Sequence, residues 1–156
     1  MKIEVNPIGT VKSSFKNPKD LHFACEQGQF ADTESSLMIN SDFAEGLKGL
    51  NEFSHIWVIY NLHKANRIEL STHPGPPNIT EVPRIGVFAS RSQYRPNHLA
   101  LRMVSLVKID GKEIFVKGFD AIDGSPVLDI KPYLPFFDKA QNEKIAEWYG
   151  WMERKP

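Results

Sequence analysis

Apolar positions along the chain fall in short runs separated by glycine and proline, and most runs alternate rather than recur every three or four residues. Residues 2–11 alternate in part, through Ile3, Val5, Ile8 and Val11, and predict a first strand broken near Pro7. Residues 37–39 read as a short strand and 43–50 as a helical turn ending at Gly49. FSHIWVIYNL, residues 53–62, is apolar nearly throughout. It is short for a core helix and rich in β-branched and aromatic residues, so it predicts a central strand buried on both faces. Residues 85–89 are another short strand. From Leu99 the alternation is clearest: Leu99, Leu101, Met103, Val107 and Ile109 against Ala100, Arg102, Val104 and Lys108. Asp110-Gly111 separates this run from residues 113–119, and an Asp-Gly pair between two such runs predicts a hairpin. Asp123-Gly124-Ser125-Pro126 marks a turn before a strand over 127–130. Helical spacing returns only at the end, where Ile145, Trp148 and Met152 predict a closing helix over 140–154.

Two stretches carry no such period. Residues 16–35 are polar and irregular and read as a long loop; loops of that length are uncommon unless they are functional. Residues 71–86 hold four prolines and two glycines, which excludes helix. The expected fold is mainly β: a small single β-barrel domain over 1–156, with long loops and one or two helices including a C-terminal one.

Composition narrows the function classes. The chain has 156 residues, with nineteen basic side chains against nineteen acidic ones. One domain with a real core fits that length. The charge balance argues against a broad basic face for non-specific nucleic-acid binding but not against a local basic pocket. A single cysteine, Cys25, gives no disulfide within the chain and fits a reducing compartment. The start of the sequence lacks the apolar core of a secretory leader, and no run reaches the roughly 20 apolar residues of a membrane span. A soluble, cytoplasmic protein is the expectation.

Several catalytic signatures are missing. There is no GxGxxG, P-loop, CxxC or HExxH, and no nucleophile elbow. His55 and His63 lie eight apart on one strand-like run, too far apart to share a metal. Two dense stretches remain. SRSQYRPNHLALR, residues 90–102, holds three arginines, two of them, Arg91 and Arg95, in a connection stiffened by Pro96 before the best strand begins. Guanidinium groups held in that way suit carboxylates, phosphates or base edges; solvated surface arginines are the equal alternative. The segment 120–138 carries Asp120, Asp123, Asp129 and Asp138 with three prolines. Their spacing is not that of a calcium loop, and carboxylates capping turns are the plainer reading.

Taken together, GVFASRSQYRPN (86–97), DGSPVLDIKPYLPFFD (123–138) and GLNEFSHIWV (49–58) resemble the signature segments of the TsaA/TrmO-like family, and PIGTVKSSF (7–15) resembles its first strand. The resemblance implies a small, usually dimeric β-barrel. It implies use of S-adenosylmethionine to methylate the exocyclic nitrogen of threonylcarbamoyl-adenosine in tRNA. Carried over by motif, cofactor contact falls on Gln27, Gly28, Leu62, His63, Arg91, Leu101, Lys117, Gly118, Phe119 and Asp120. Arg95 and Asn97 are placed for RNA; no catalytic residue and no metal is assigned. The chain departs from the family pattern at Gln93, at His98-Leu99-Ala100, and at Arg102, where a small residue is usual. The alternatives are a methyltransferase on another substrate, or a binding module for cofactor or nucleic acid without turnover.

Overall fold

The computed structural model describes residues 1–26, 30–74 and 82–151. The chain divides into two compact units, 1–64 with 99–133, and 65–98 with 134–156. The strands in chain order are β1 (Gly9–Lys12), β2 (Glu34–Ile39), β3 (His55–Asn61), β4 (Ser71–Thr72), β5 (Ile85–Gly86), β6 (Leu99–Asp110), β7 (Glu113–Lys117) and β8 (Pro126–Pro132). The α-helices are α1 (Pro18–Glu26) and α2 (Pro135–Asp138).

The first unit is a closed antiparallel barrel in the order β1-β2-β7-β6-β3-β8. Its interior is filled by Val11, Leu37, Ile39, Ile56, Val58, Tyr60, Val104, Ile114, Val116, Phe119, Ala121 and Val127. Each of the Val, Leu, Ile and Phe side chains among them contributes about 1.5–3 kcal/mol through the apolar area it withdraws from water. β1 closes the barrel between β2 and β8, and Gly9 pairs with Ile39 on one side and Val127 on the other. A Cβ at Gly9 would run into the Met38 carbonyl, so glycine is needed for the close approach.

The mainly β barrel agrees with the sequence pattern, and four elements differ in detail. Residues 2–6 form no strand, and Ile3 and Val5 stay exposed. The loop expected over 16–35 contains α1. Asn17 caps that helix: its side-chain oxygen accepts from the N–H of Lys19 at 3.0 Å, while the Asp20 carboxylate reaches back to the N–H of Asn17 at 3.0 Å. β3 is buried on one face only, alternating half-buried and buried from His55 to Asn61, because a barrel strand has one inward face. The closing helix over 140–154 is reduced, among the described residues, to a 3₁₀ turn at Glu147–Trp151. Ile145 is exposed and offers no apolar stripe to bury.

The predicted hairpin forms, with its frame moved by one. Asp110 pairs with Glu113 as the last rung between β6 and β7, so the two-residue loop is Gly111-Lys112. Gly111 has φ 57°, and a glycine first in the loop is what a type II′ turn requires.

The second unit pairs β4 with β5. It adds 3₁₀ turns at Val87–Ala89, Pro96–His98 and Glu147–Trp151, with α2. Among the described residues no helix is long and apolar enough to cross a membrane.

Candidate functional site

The barrel brings several of the expected cofactor positions to neighbouring strand ends. Leu62 and His63 follow β3 directly. Leu101 lies on β6 opposite Ile59 of β3. Lys117 ends β7 and pairs with Glu34 and Ser105, and Gly118, Phe119 and Asp120 leave the strand from there. Leu62 packs against the core, whereas Leu101 points outward and is 49% exposed. Gln27 and Gly28 lie outside the described residues.

The segment from Gly118 to Asp120 is tightly held. Gly118 has φ 74°, a backbone state glycine adopts without strain, and its N–H donates to the Thr33 carbonyl at 3.2 Å. Phe119 is fully buried, with the Tyr60 ring edge-on at 5.0 Å. The Tyr60 hydroxyl donates to Asp120 Oδ1 at 2.8 Å. Arg102 Nε donates to the Gly118 carbonyl at 3.2 Å, and its Nη1 lies 4.0 Å from Asp120 Oδ2.

His63 places Nδ1 3.1 Å from the hydroxyl of Ser125, which is itself buried. Desolvation of the ring, and then the charge of Lys64, hold the His63 pKa below its ordinary value. The imidazole is therefore neutral near pH 7.

The aspartates of 120–138 act mostly as fasteners. Asp123 accepts from the Ser13 N–H at 3.0 Å and pairs with Lys16 at 2.9 Å. That backbone bond, then Lys16, draws its pKa down. Asp138 accepts from the Leu134 N–H at 2.7 Å, and Asp129 pairs with Lys131 at 2.7 Å. No group of three or more His, Cys, Asp or Glu suited to a metal occurs among the described residues. His55 lies between the hydroxyls of Ser54 and Ser105 at 2.9 and 3.3 Å.

The arginine loop belongs to the second unit. Arg95 Nη1 donates to the carbonyls of Ser90 and Ser92 at 3.1 and 3.2 Å, so this side chain holds its own loop. Arg91 is exposed and makes no hydrogen bond or ion pair among the described residues. Asn97 has φ 65° and His98 φ 48°; the left-handed pair turns the chain sharply after Pro96. The His98 ring lies 3.0 Å from the Arg67 carbonyl, and Arg67 stacks over the Tyr94 ring at 4.0 Å.

Three contributors were missed by sequence reasoning. Tyr60 was part of an apolar run and its hydroxyl went unread. Ser125 was one residue of a turn. Arg102 was noted only as a departure from a pattern.

Residues 10–139 match the tRNA-methyltransferase O N-terminal domain. The chain belongs to this family. It is 38% identical over 148 residues to a probable S-adenosyl-L-methionine-binding protein of Pyrococcus abyssi, covering 95% of this chain and 75% of that one. It is 41% identical to an S-adenosyl-L-methionine-binding protein of Archaeoglobus fulgidus, covering 86% and 91%. A mouse tRNA (adenine(37)-N6)-methyltransferase is 34% identical over 143 residues, 89% of this chain but 32% of that one. The crystal structure of TrmO superposes with a TM-score of 0.70 at 30% identity, covering 94% of this chain and 62% of that one. The chain thus spans most of the length of these two archaeal proteins and about a third of the mouse enzyme.

The described part of the site suits S-adenosylmethionine chemically. Leu62 and Leu101 are apolar side chains that could pack against it. Asp120 supplies a carboxylate acceptor for hydroxyl or ammonium groups.

Proposed function

We propose that this member of the tRNA-methyltransferase O family is an S-adenosylmethionine-dependent methyltransferase. Its substrate is tRNA, and the acceptor is the exocyclic nitrogen of the adenosine at position 37 in its threonylcarbamoyl form. The observation that carries this reading is the family match over 10–139, joined to relatives named for cofactor binding and for methylation of that nitrogen. When bound, the cofactor supplies a methyl group activated by a sulfonium. The protein's task is then largely to hold donor and acceptor in line, where proximity and orientation lower the barrier.

We assign cofactor contact to Leu62, His63, Leu101 and the segment from Lys117 to Asp120, and carry Gln27, Gly28 and Arg91 with them on the resemblance. Arg95 and Asn97 are assigned to RNA. Nη1 of Arg95 already serves the loop, so RNA contact falls to its remaining donors. We keep the chain as one domain, because the family match runs through segments of both units. A homodimer working in the cytoplasm, where tRNA is modified, completes the proposal.

The test has two arms. Calorimetry and thermal melting with S-adenosylmethionine give binding at about micromolar Kd or tighter, with a raised Tm. Mass spectrometry of tRNA nucleosides, with and without the gene, shows the methylated threonylcarbamoyl-adenosine only when the protein is present. No heat and no thermal shift at saturating cofactor would sink the enzyme reading. Binding with unchanged tRNA nucleosides would move the substrate elsewhere.

A further inference from the structure

Arg102 occupies a register position that faces the barrel interior. It pairs with Val58, which is fully buried; the next pairs on the same face are Ile56 with Val104 and Tyr60 with Ala100. Charged side chains rarely occupy such positions unless they find partners. Arg102 reaches the barrel end, with 37% of its side chain exposed, and spends Nε on the Gly118 carbonyl at 3.2 Å. Its ion pair with Asp120, at 4.0 Å between partly exposed groups, is the weaker contact.

Tyr60 approaches the same segment from β3. It is 3% exposed, donates to Asp120 Oδ1 at 2.8 Å, and places its hydroxyl 3.4 Å from the Asp120 carbonyl. The segment is held a third time where the Gly118 N–H donates to the Thr33 carbonyl ahead of β2. Contacts from β3, from β6 and from Thr33 therefore fix Gly118 and Asp120, on either side of the buried Phe119.

We infer that Tyr60 and Arg102 are positioning residues for cofactor recognition. They clamp Asp120 and the Gly118 carbonyl so that the partly exposed Asp120 carboxylate meets the cofactor in a preset direction. Ordering cost is then met on folding rather than on binding. The inference rests on the assignment of Lys117 to Asp120 to the cofactor.

The experiment compares Tyr60→Phe, Arg102→Ala and Arg102→Lys with the parent. The readouts are Kd for S-adenosylmethionine by calorimetry, KM for cofactor and kcat with tRNA, and Tm without cofactor. Tyr60→Phe keeps the ring against Phe119, so its Tm stays near the parent's while cofactor Kd and KM rise about fivefold to fifteenfold and kcat holds. Arg102→Ala weakens the cofactor by about tenfold or more, and Arg102→Lys recovers part of the loss by restoring a donor. Unchanged Kd in Tyr60→Phe and Arg102→Ala, with a parent that binds, overturns this inference alone. Losses that only follow Tm, with no rescue by lysine, overturn it in favour of a purely structural role. A parent that fails to bind overturns the cofactor assignment and this inference together.

Discussion

His63 shows how one contact can set a titration. Its Nδ1 faces the buried hydroxyl of Ser125, and desolvation followed by Lys64 keeps its pKa below the ordinary 6.5. A group with a depressed folded pKa contributes stability that is present above the unfolded value and lost as pH falls through the folded one. Cofactor affinity follows the same sign. On the proposed assignment of His63 to the cofactor, a cation arriving on it is repelled by the sulfonium, so the bound pKa is lower still and affinity declines as pH falls through the free protein's depressed His63 pKa. Calorimetry at about pH 5.5 and about pH 7.5 checks this, on either side of the imidazole range. The parent loses affinity on the acid side, and His63→Gln loses less. Equal losses in parent and variant would remove His63 from the cofactor.

At the scale of elements, Gly9 makes a prediction of its own. It lies where β1 is paired on both sides, and a Cβ there meets the Met38 backbone. Backbone cannot swing aside as a side chain can. Gly9→Ala therefore costs about 1–3 kcal/mol, as overpacking does, and chemical denaturation measures it; an unchanged midpoint would mean the strand shifts freely. The strand positions were legible because alternation is a local signal. The face each strand buries was not. In β6 the more apolar set, Leu99, Leu101 and Met103, points outward and stays 39–49% exposed, while Arg102 shares the inward face with Val104. A barrel end can satisfy an inward arginine through Gly118 and Asp120, and those partners are distant in sequence. α1 was written locally, as Asn17-Pro18 with Asp20 three residues on, a helix-start signal that the polar composition of 16–35 hid. The reverse happened at the end of the chain, where helical spacing without burial yields only a 3₁₀ turn. Tyr60 shows why the site was only partly readable: periodicity finds its buried ring, and nothing near it in sequence names Asp120 as the partner of its hydroxyl.

For the whole molecule, the outward row on β6 bears on assembly. Leu99, Leu101 and Met103 pair with Asn61, Ile59 and Trp57 of β3, and Ile59 and Trp57 are half-buried on the same outer face. Adjacent apolar side chains on two strands make a patch rather than scattered exposure, and patches of that kind mark contact surfaces. The proposed homodimer gives them a cover in a second copy. Light scattering at high protein concentration then reads twice the chain mass of 17.7 kDa. Met103→Asp places a charge in the middle of the row without entering the core, since Met103 is 39% exposed. It shifts the mass toward one chain while circular dichroism and Tm stay near the parent's, because a charge buried in an interface without a partner is costly and one left in water is not. A parent that runs as a single chain would remove the dimer. A Met103→Asp variant that stays dimeric would keep the dimer and move its contact to another face.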